Sequence, residues 1–221
     1  MRLFLIRHGQ TPANVAGTLN TAAPGPGLTP LGVRQAAMIP QALRDTAIDS
    51  IYVSRLVRTR LTATPLAVDR GHEVRELPGI HEIEAGSLED RHDKASVRAY
   101  LETAFAWGTG DLSPAMPGGF DGHEFFGRFD ADIATIASES ENAVVVSHGA
   151  AIRVWVAGRA INVPRSYAGE HEIGNTGVIE LEGSPDKGWT LLSWQGTPVG
   201  GARFADPTAE DHTGESLTDL D

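Results

Sequence analysis

Arg7, His8 and Gly9 follow directly on an apolar run, Leu3-Phe4-Leu5-Ile6. His148-Gly149 ends a second run, Val144-Val145-Val146-Ser147. A neutral imidazole nitrogen can act as a nucleophile, and the planar guanidinium of an arginine grips an oxyanion with paired donors. Short apolar runs bounded by Gly read as buried strands of a parallel sheet, whose ligands bind just beyond the carboxyl ends of the strands. Two histidines delivered to that edge by two strands can meet there, although they lie far apart in the chain. Either one taken alone reads equally well as an ordinary loop histidine. The coincidence of the two, with Arg7 beside the first, points to chemistry.

The elements that must carry these residues follow from the pattern. Residues 3–6 read as a first, central strand. Residues 17–30 form a Gly/Pro-rich loop that ends in Thr29-Pro30, a cap followed by proline at the first helical position. One helix is expected to carry Leu31, Ala36, Ile39 and Leu43. Residues 50–54 read as a strand, and Ser54 as the cap of a helix from 55 to about 68. Residues 73–77 are a weaker strand. Residues 78–122 read as an insertion over the sheet edge, with a helix over 91–107 and a Gly/Pro-rich lid loop over 108–122. A helix over 124–140, a strand over 143–147, a helix over 150–159 and a closing hairpin (178–181 and 189–194) complete one domain over 1–200. Residues 201–221 are polar and acidic and read as a disordered tail.

Bulk composition narrows the function. The chain has 221 residues, 41% hydrophobic and 21% charged, as in a globular protein. Its formal net charge of −11, with no basic run, speaks against nucleic acid as a partner. An acidic body that binds an anion must concentrate positive charge locally, which makes individual arginines informative. Cysteine is absent, so a thiolate nucleophile, a disulfide framework and a Cys-based metal site are excluded. This composition is compatible with a cytoplasmic location. No stretch approaches the roughly 18 apolar residues of a membrane span, so no membrane partner is expected.

Four ordered blocks resemble the histidine phosphatase superfamily, also called phosphoglycerate mutase-like. They are Ile6-Arg7-His8-Gly9-Gln10-Thr11 with Asn14, Leu28-Thr29-Pro30-Leu31-Gly32 with Gln35-Ala36, Ser54-Arg55-Leu56-Val57-Arg58-Thr59 with Thr62-Ala63, and Val145-Val146-Ser147-His148-Gly149. The resemblance implies a three-layer α/β/α sandwich with a mostly parallel central sheet. It implies His8 as the nucleophile of a phosphohistidine intermediate, Arg7 and Arg58 as phosphate clamps and His148 as a third donor, protonated beside the phosphate. Without it, Arg58 among Arg55 and Arg60 reads equally well as a basic helix face. Asn14 is an amide donor to the phosphoryl group or a local cap. Gly9 and Gly149 would let backbone approach the ligand, and a helix starting near Ala150 would add its positive end. Glu82 is the candidate proton donor, with Glu84 as local rival and Glu89 as a more distant one. His81 is a substrate-edge candidate. Asn175-Thr176-Gly177 is similar to a late Asn-containing turn that touches substrate, and reads equally as a simple turn.

Two departures stand out. Many relatives carry Gly-Gly-Glu-Ser where this chain has Gly118-Gly119-Phe120-Asp121, which questions the usual polar anchoring of that loop. The block after Glu82 runs Gly86-Ser87-Leu88-Glu89-Asp90, without the aromatic-Glu-Gly common in relatives. Phe105, Trp107, Phe120 and Phe125 form an apolar wall of the lid or belong to its core.

The expected function is hydrolysis of a small phosphomonoester, with no metal and no cofactor. The alternatives are a cofactor-dependent phosphoglycerate mutase, a catalytically silent phosphate-binding module, and a His-rich metal hydrolase. No carboxylate clamp of the kind a mutase needs is visible near Arg91, Lys94 and Arg98. No His-x-x-x-His or HExxH pair supports the metal reading. Natural substrate and oligomeric state are left open by the sequence.

Overall fold

A computed structural model describes residues 1–214. Its six strands are β1 (Arg2–Arg7), β2 (Ser50–Val53), β3 (Val74–Glu76), β4 (Asn142–Ser147), β5 (Val178–Ser184) and β6 (Gly188–Gln195). They form one sheet in the order β3-β2-β4-β1-β5-β6. The pairs β3/β2, β2/β4 and β4/β1 are parallel, and the β5/β6 hairpin joins antiparallel to β1. The eight α-helices among the described residues are α1 (Pro12–Val15), α2 (Pro30–Ala37), α3 (Ile39–Ala42), α4 (Val57–Arg70), α5 (Lys94–Thr109), α6 (Gly122–Glu139), α7 (Gly149–Arg159) and α8 (Tyr167–Glu170).

β1 and β4 are unbroken apolar runs because both of their faces are covered. Leu3, Leu5 and Val145 pack with Tyr100 of α5, Phe129 of α6 and Trp155 of α7. Phe4, Ile6, Val144 and Val146 pack against Ile39, Leu43, Ala63 and Leu66 on the other face. Alternate side chains thus feed two cores, and the layers are helix, sheet and helix.

This arrangement places the two histidines. Arg7 pairs with Ser147 in the parallel register, so β1 and β4 end side by side. The chain leaves β1 toward the α2–α4 face and leaves β4 into α7 on the opposite face. The crevice between the two strand ends is a topological switch point, where open α/β sheets bind ligands.

Several elements differ from expectation, each for a local reason. The single helix expected from Pro30 onward is two helices, divided at Met38. Pro40, at the start of α3, has no N–H to continue the ladder. Ser54 is not a helix cap: α4 starts at Val57 after Leu56, and the Ser54 hydroxyl is drawn to His148. α5 starts at Lys94 because Asp93 caps the Ser96 amide. Phe105, Trp107 and Phe125 are buried, with Trp107 stacked on Phe125, whereas Phe120 is 51% exposed. The expected aromatic wall is therefore mostly core. The loop between α5 and α6 is anchored by backbone contacts: Met116 N–H donates to Phe120 O, and Ser87 N–H and Oγ donate to Pro117 O.

The stretch from 201 onward differs as well. Residues 201–214 carry a short 3-10 turn (Ala202–Phe204) and many hydrogen bonds to the body of the domain. The rest of the expected tail, 215–221, lies outside the described residues.

Candidate active site

The end of β1 turns His8 into the crevice, where its ring lies 5.2 Å from that of His148. The His8 amide donates to Ser147 O of the neighbouring strand, and the Gly9 amide donates to Thr62 Oγ1 on α4. His8 Nδ1 lies 2.8 Å from Gly9 O. A carbonyl can only accept, so Nδ1 carries the ring proton and Nε2 keeps its lone pair. Burial, then the positive charges of Arg58 and Arg7, hold His8 well below the ordinary imidazole value. It is neutral at neutral pH, the form a nucleophile needs.

Arg58 lies on the inner face of α4 with Thr59, Thr62 and Leu66. One of its nitrogens donates to Asn20 O at 2.9 Å. Its Nε and Nη1 are buried without a hydrogen-bond partner among the described residues. Burial lowers its pKa to about 10, so it still carries its charge at neutral pH. A buried guanidinium with two unused donors is arranged for an anion. Arg55 is exposed on the rim of a larger cavity, and Arg60 pairs with Glu76 at the surface.

Arg7 is fully buried and donates from Nη1 to Ile173 O. It also forms a two-pronged ion pair with the Asp211 carboxylate, at 2.5 and 2.6 Å. Asn14 is a local cap whose amide nitrogen is left over. Its Oδ1 closes a capping box with Thr11, and its Nδ2 is turned outward to Asp211 Oδ1 at 2.9 Å.

His148 caps the start of α7. Its Nε2 lies 2.7 Å from Ser54 Oγ, and its Nδ1 is buried without a partner among the described residues. Ser54 Oγ accepts from the Leu56 amide, and its own proton has His148 Nε2 closer than Thr59 Oγ1 at 3.2 Å. That assignment leaves the imidazole proton on Nδ1. Burial, then Arg58 and His8, keep His148 well below the ordinary value. His148 is therefore held neutral here, and the expected protonated form belongs to a bound phosphate dianion, whose charge would raise the value again.

Glu82 is 2% exposed. Its Oε1 accepts from the amides of Ile83 and of Ala151 in the first turn of α7, each at 2.9 Å. Burial raises its pKa, against the pull of these hydrogen bonds and of Arg58 and Arg7. The positive end of α7 thus serves this carboxyl. Glu84 is 42% exposed at its side chain and pairs with His81. Glu89 holds the loop above the site, accepting from Thr21 N, Thr21 Oγ1 and Ala22 N.

The two expected glycines differ. A Cβ on Gly149 would lie 2.6 Å from Thr213 O, on the ligand side, whereas one on Gly9 would press on Gly32 O. Gly9 is thus required by its own neighbour. Asn175 is more than a turn residue, since its Nδ2 donates to His8 O at 3.1 Å.

The roles of four residues escaped the sequence reading. Ser54 orients His148, and Thr62 fixes Gly9. On α6, Arg128 donates to Gly79 O, His81 O and Glu82 O, while Asp132 accepts from the Gly79 and Ile80 amides. The pair clamps the loop that carries Glu82. Its i,i+4 spacing was the available signal, but it reads locally as a surface ion pair.

Beside the cradle lies a cavity of about 580 Å³, bounded by Thr21, Ala22, Arg55, Leu56, His81, Glu84, Glu89 and Phe120. No described helix is long and apolar enough to cross a membrane. No group of three or more His, Cys, Asp or Glu among the described residues is placed to hold a metal ion.

The family model of the histidine phosphatase superfamily (branch 1) matches residues 3–197. A PE-PGRS family protein of Mycobacterium tuberculosis is 38% identical over 92% of this chain, which spans 38% of that relative's length. The adenosylcobalamin/α-ribazole phosphatase of Salmonella typhimurium is 34% identical over 74% of this chain and 81% of its own. Among solved structures, a mycobacterial glucosyl-3-phosphoglycerate phosphatase superposes with a TM-score of 0.72 at 26% identity, covering 89% of this chain and 99% of its own.

Proposed function

Because the chain belongs to the histidine phosphatase superfamily, we propose that it hydrolyses a small phosphomonoester through a phosphohistidine at His8. The observation that carries this reading is the state of His8: neutral, with Nδ1 tied to Gly9 O, and lining one space with Arg58, whose Nε and Nη1 are unused.

In the proposed first step, His8 Nε2 attacks phosphorus in line and the ester P–O bond breaks. Arg7, Arg58, Asn14 and His148 supply donors to the phosphoryl oxygens as charge spreads over them. Glu82, kept protonated to higher pH by burial, gives its proton to the departing alkoxide. In the second step the Glu82 carboxylate takes a proton from water, the hydroxide oxygen bonds to phosphorus, and the N–P bond breaks. Orthophosphate leaves and both residues return to their starting states.

The adjoining cavity has the size of an ordinary small-molecule site and offers room for an organic leaving group. Its wall carries Glu84 and Glu89 with Arg55 as its one arginine, an environment ill suited to a substrate carboxylate. Arg91, Lys94 and Arg98 do not line it, and Arg91 is paired with Asp93. This favours hydrolysis over phosphoglycerate mutation. The phosphatases named among the relatives support the same class of reaction.

The test is orthophosphate release from a panel of phosphomonoesters, wild type beside His8→Ala, with trapping of labelled enzyme by an alkaline detergent quench. We expect turnover and an acid-labile label in the wild type, both lost in the variant. Equal release by both proteins would sink the phosphohistidine. Primed 2-/3-phosphoglycerate interconversion faster than phosphate release would make the protein a mutase.

A further inference from the structure

The last described residues of the chain lie across the candidate site. Gln35 Nε2 donates to Phe204 O at 2.8 Å, and Gln10 Nε2 to Asp206 Oδ2 at 2.9 Å. Asp211 then enters the cradle. Its Oδ2 receives Arg7 Nη1 at 2.6 Å, and its Oδ1 receives both Arg7 Nη2 at 2.5 Å and Asn14 Nδ2 at 2.9 Å. Thr213 Oγ1 accepts from Arg7 Nη2 at 3.0 Å, and Thr213 O accepts from buried Arg153 Nη1 at 3.2 Å. The Ile173 amide donates to Gly214 O at 3.0 Å. The fit is close: a Cβ on Gly214 would collide with Arg7 Nη1, and one on Gly149 would lie 2.6 Å from Thr213 O.

We propose that residues 205–214 are an autoinhibitory strap, in which the Asp211 carboxylate takes the phosphate position on Arg7 and Asn14, so that a phosphomonoester enters only by displacing it. The proposal rests on the reading of Arg7 and Asn14 as phosphate donors. Three observations support it. A guanidinium fork binds a carboxylate and a phosphate through the same paired donors, so the two anions exclude each other. With the strap in place, the space bounded by His8, Arg58, Glu82 and Thr213 is about 20 Å³, room for about one water molecule and not for a phosphoryl group. Finally, Asp211 engages only half of the donors. Arg58 Nε and Nη1 and His148 Nδ1 have no partner among the described residues while the strap is docked. A phosphate dianion gains those donors as well, which is the differential affinity that displacement requires.

The test uses the full chain, wild type beside Asp211→Asn, which keeps the shape of the side chain and removes its charge. Orthophosphate is the probe, read by calorimetry and by hydrogen exchange of the amides of Ile173 and Gly214. The variant is expected to bind orthophosphate roughly tenfold tighter, because less of the protein is held in the closed form. Its KM for a phosphomonoester should fall by a similar factor, with kcat changed less than twofold. Saturating orthophosphate should speed exchange at the two amides in the wild type. Equal affinity in the two proteins, or strap amides that stay protected in the saturated wild type, would overturn the strap while leaving the phosphatase reading intact. Tighter binding by the variant with no turnover of any ester by either protein would keep the strap and remove the phosphatase. Orthophosphate binding to neither protein would remove both.

Discussion

Glu82 and Glu84 are two residues apart and indistinguishable by type, yet burial gives them different chemistry. Glu82 is enclosed and its proton is held to higher pH, whereas Glu84 faces water and His81. A general acid contributes most where the leaving group is a poor one. Glu82→Gln is therefore expected to lower kcat for alkyl phosphates about 10²–10⁴-fold, and much less for p-nitrophenyl phosphate. Glu84→Gln should leave both rates within a few-fold. Equal losses on the two substrates in the Glu82 variant would remove the proton-donor role. The raised pKa also has a sign for stability. The folded state prefers the neutral carboxyl, so stability is lost as the pH rises from the ordinary carboxylate value through the raised folded one, and the Gln variant should unfold no earlier than wild type at neutral or higher pH. The choice among three arginines was similarly hidden. Arg58, Thr62 and Leu66 share the buried face of α4, while Arg55 and Arg60 do not. That i,i+4 pattern was present in the sequence but did not say which face would be covered.

At the scale of elements, α6 acts as a brace. Arg128 reaches three carbonyl groups of the Glu82 loop and Asp132 two of its amides, so loop and helix form one unit. Burial lowers the Arg128 pKa to about 10, and it remains a cation at working pH. Arg128→Met keeps much of the side-chain volume and removes all its donors. It is expected to lower kcat at least tenfold through misplacement of the acid, with KM nearly unchanged and the loss concentrated on alkyl phosphates. Arg128→Lys should not restore the rate, since one ammonium cannot reproduce the fork across three carbonyls. A uniform loss on all substrates, or rescue by lysine, would make the residue merely structural. Most element positions were legible because their signals are local: apolar runs for β1 and β4, and Thr29-Pro30 for α2. Ser54 misled because a serine before a helix has the same local appearance whether it caps the helix or serves a histidine on another strand.

The whole molecule buries two neutral histidines at one strand edge. Both have folded pKa values well below the ordinary one, chiefly through burial. Below about pH 6.5 the unfolded chain takes up protons that the folded chain does not, so stability falls as pH drops through that value toward the folded values. Glu82 acts in the opposite sense between its ordinary and its raised value, but it is one group against two. Urea unfolding is expected to give a lower free energy at pH 5.5 than at pH 7.5, with a smaller difference in the His8→Gln variant. A pH difference unchanged in that variant would contradict the assignment of His8 as neutral and buried. A chain with net charge −11 thus concentrates the buried cations Arg7 and Arg58 around neutral His8, as an anion site requires.

The sequence by itself determined the α/β class and the strands that end in His8 and His148, and its ordered motifs named Arg7, His8, Arg58, Glu82 and His148 as candidates, with Glu84 and Glu89 as rivals to Glu82. Each is announced by a local pattern or an ordered motif, and backbone periodicity acts over a few residues. Only the tertiary structure decided that Ser54 serves His148, that Arg128 and Asp132 brace the Glu82 loop, and that Asp211 lies on Arg7. These contacts join residues far apart in the chain. No local rule relates such positions, because their meeting depends on how the sheet, α6 and the last described residues pack together. The region after residue 200 shows the difference most plainly. Its polar, acidic composition reads as unstructured when nothing faces it, and the buried cations Arg7 and Arg153 supply the partners that order it.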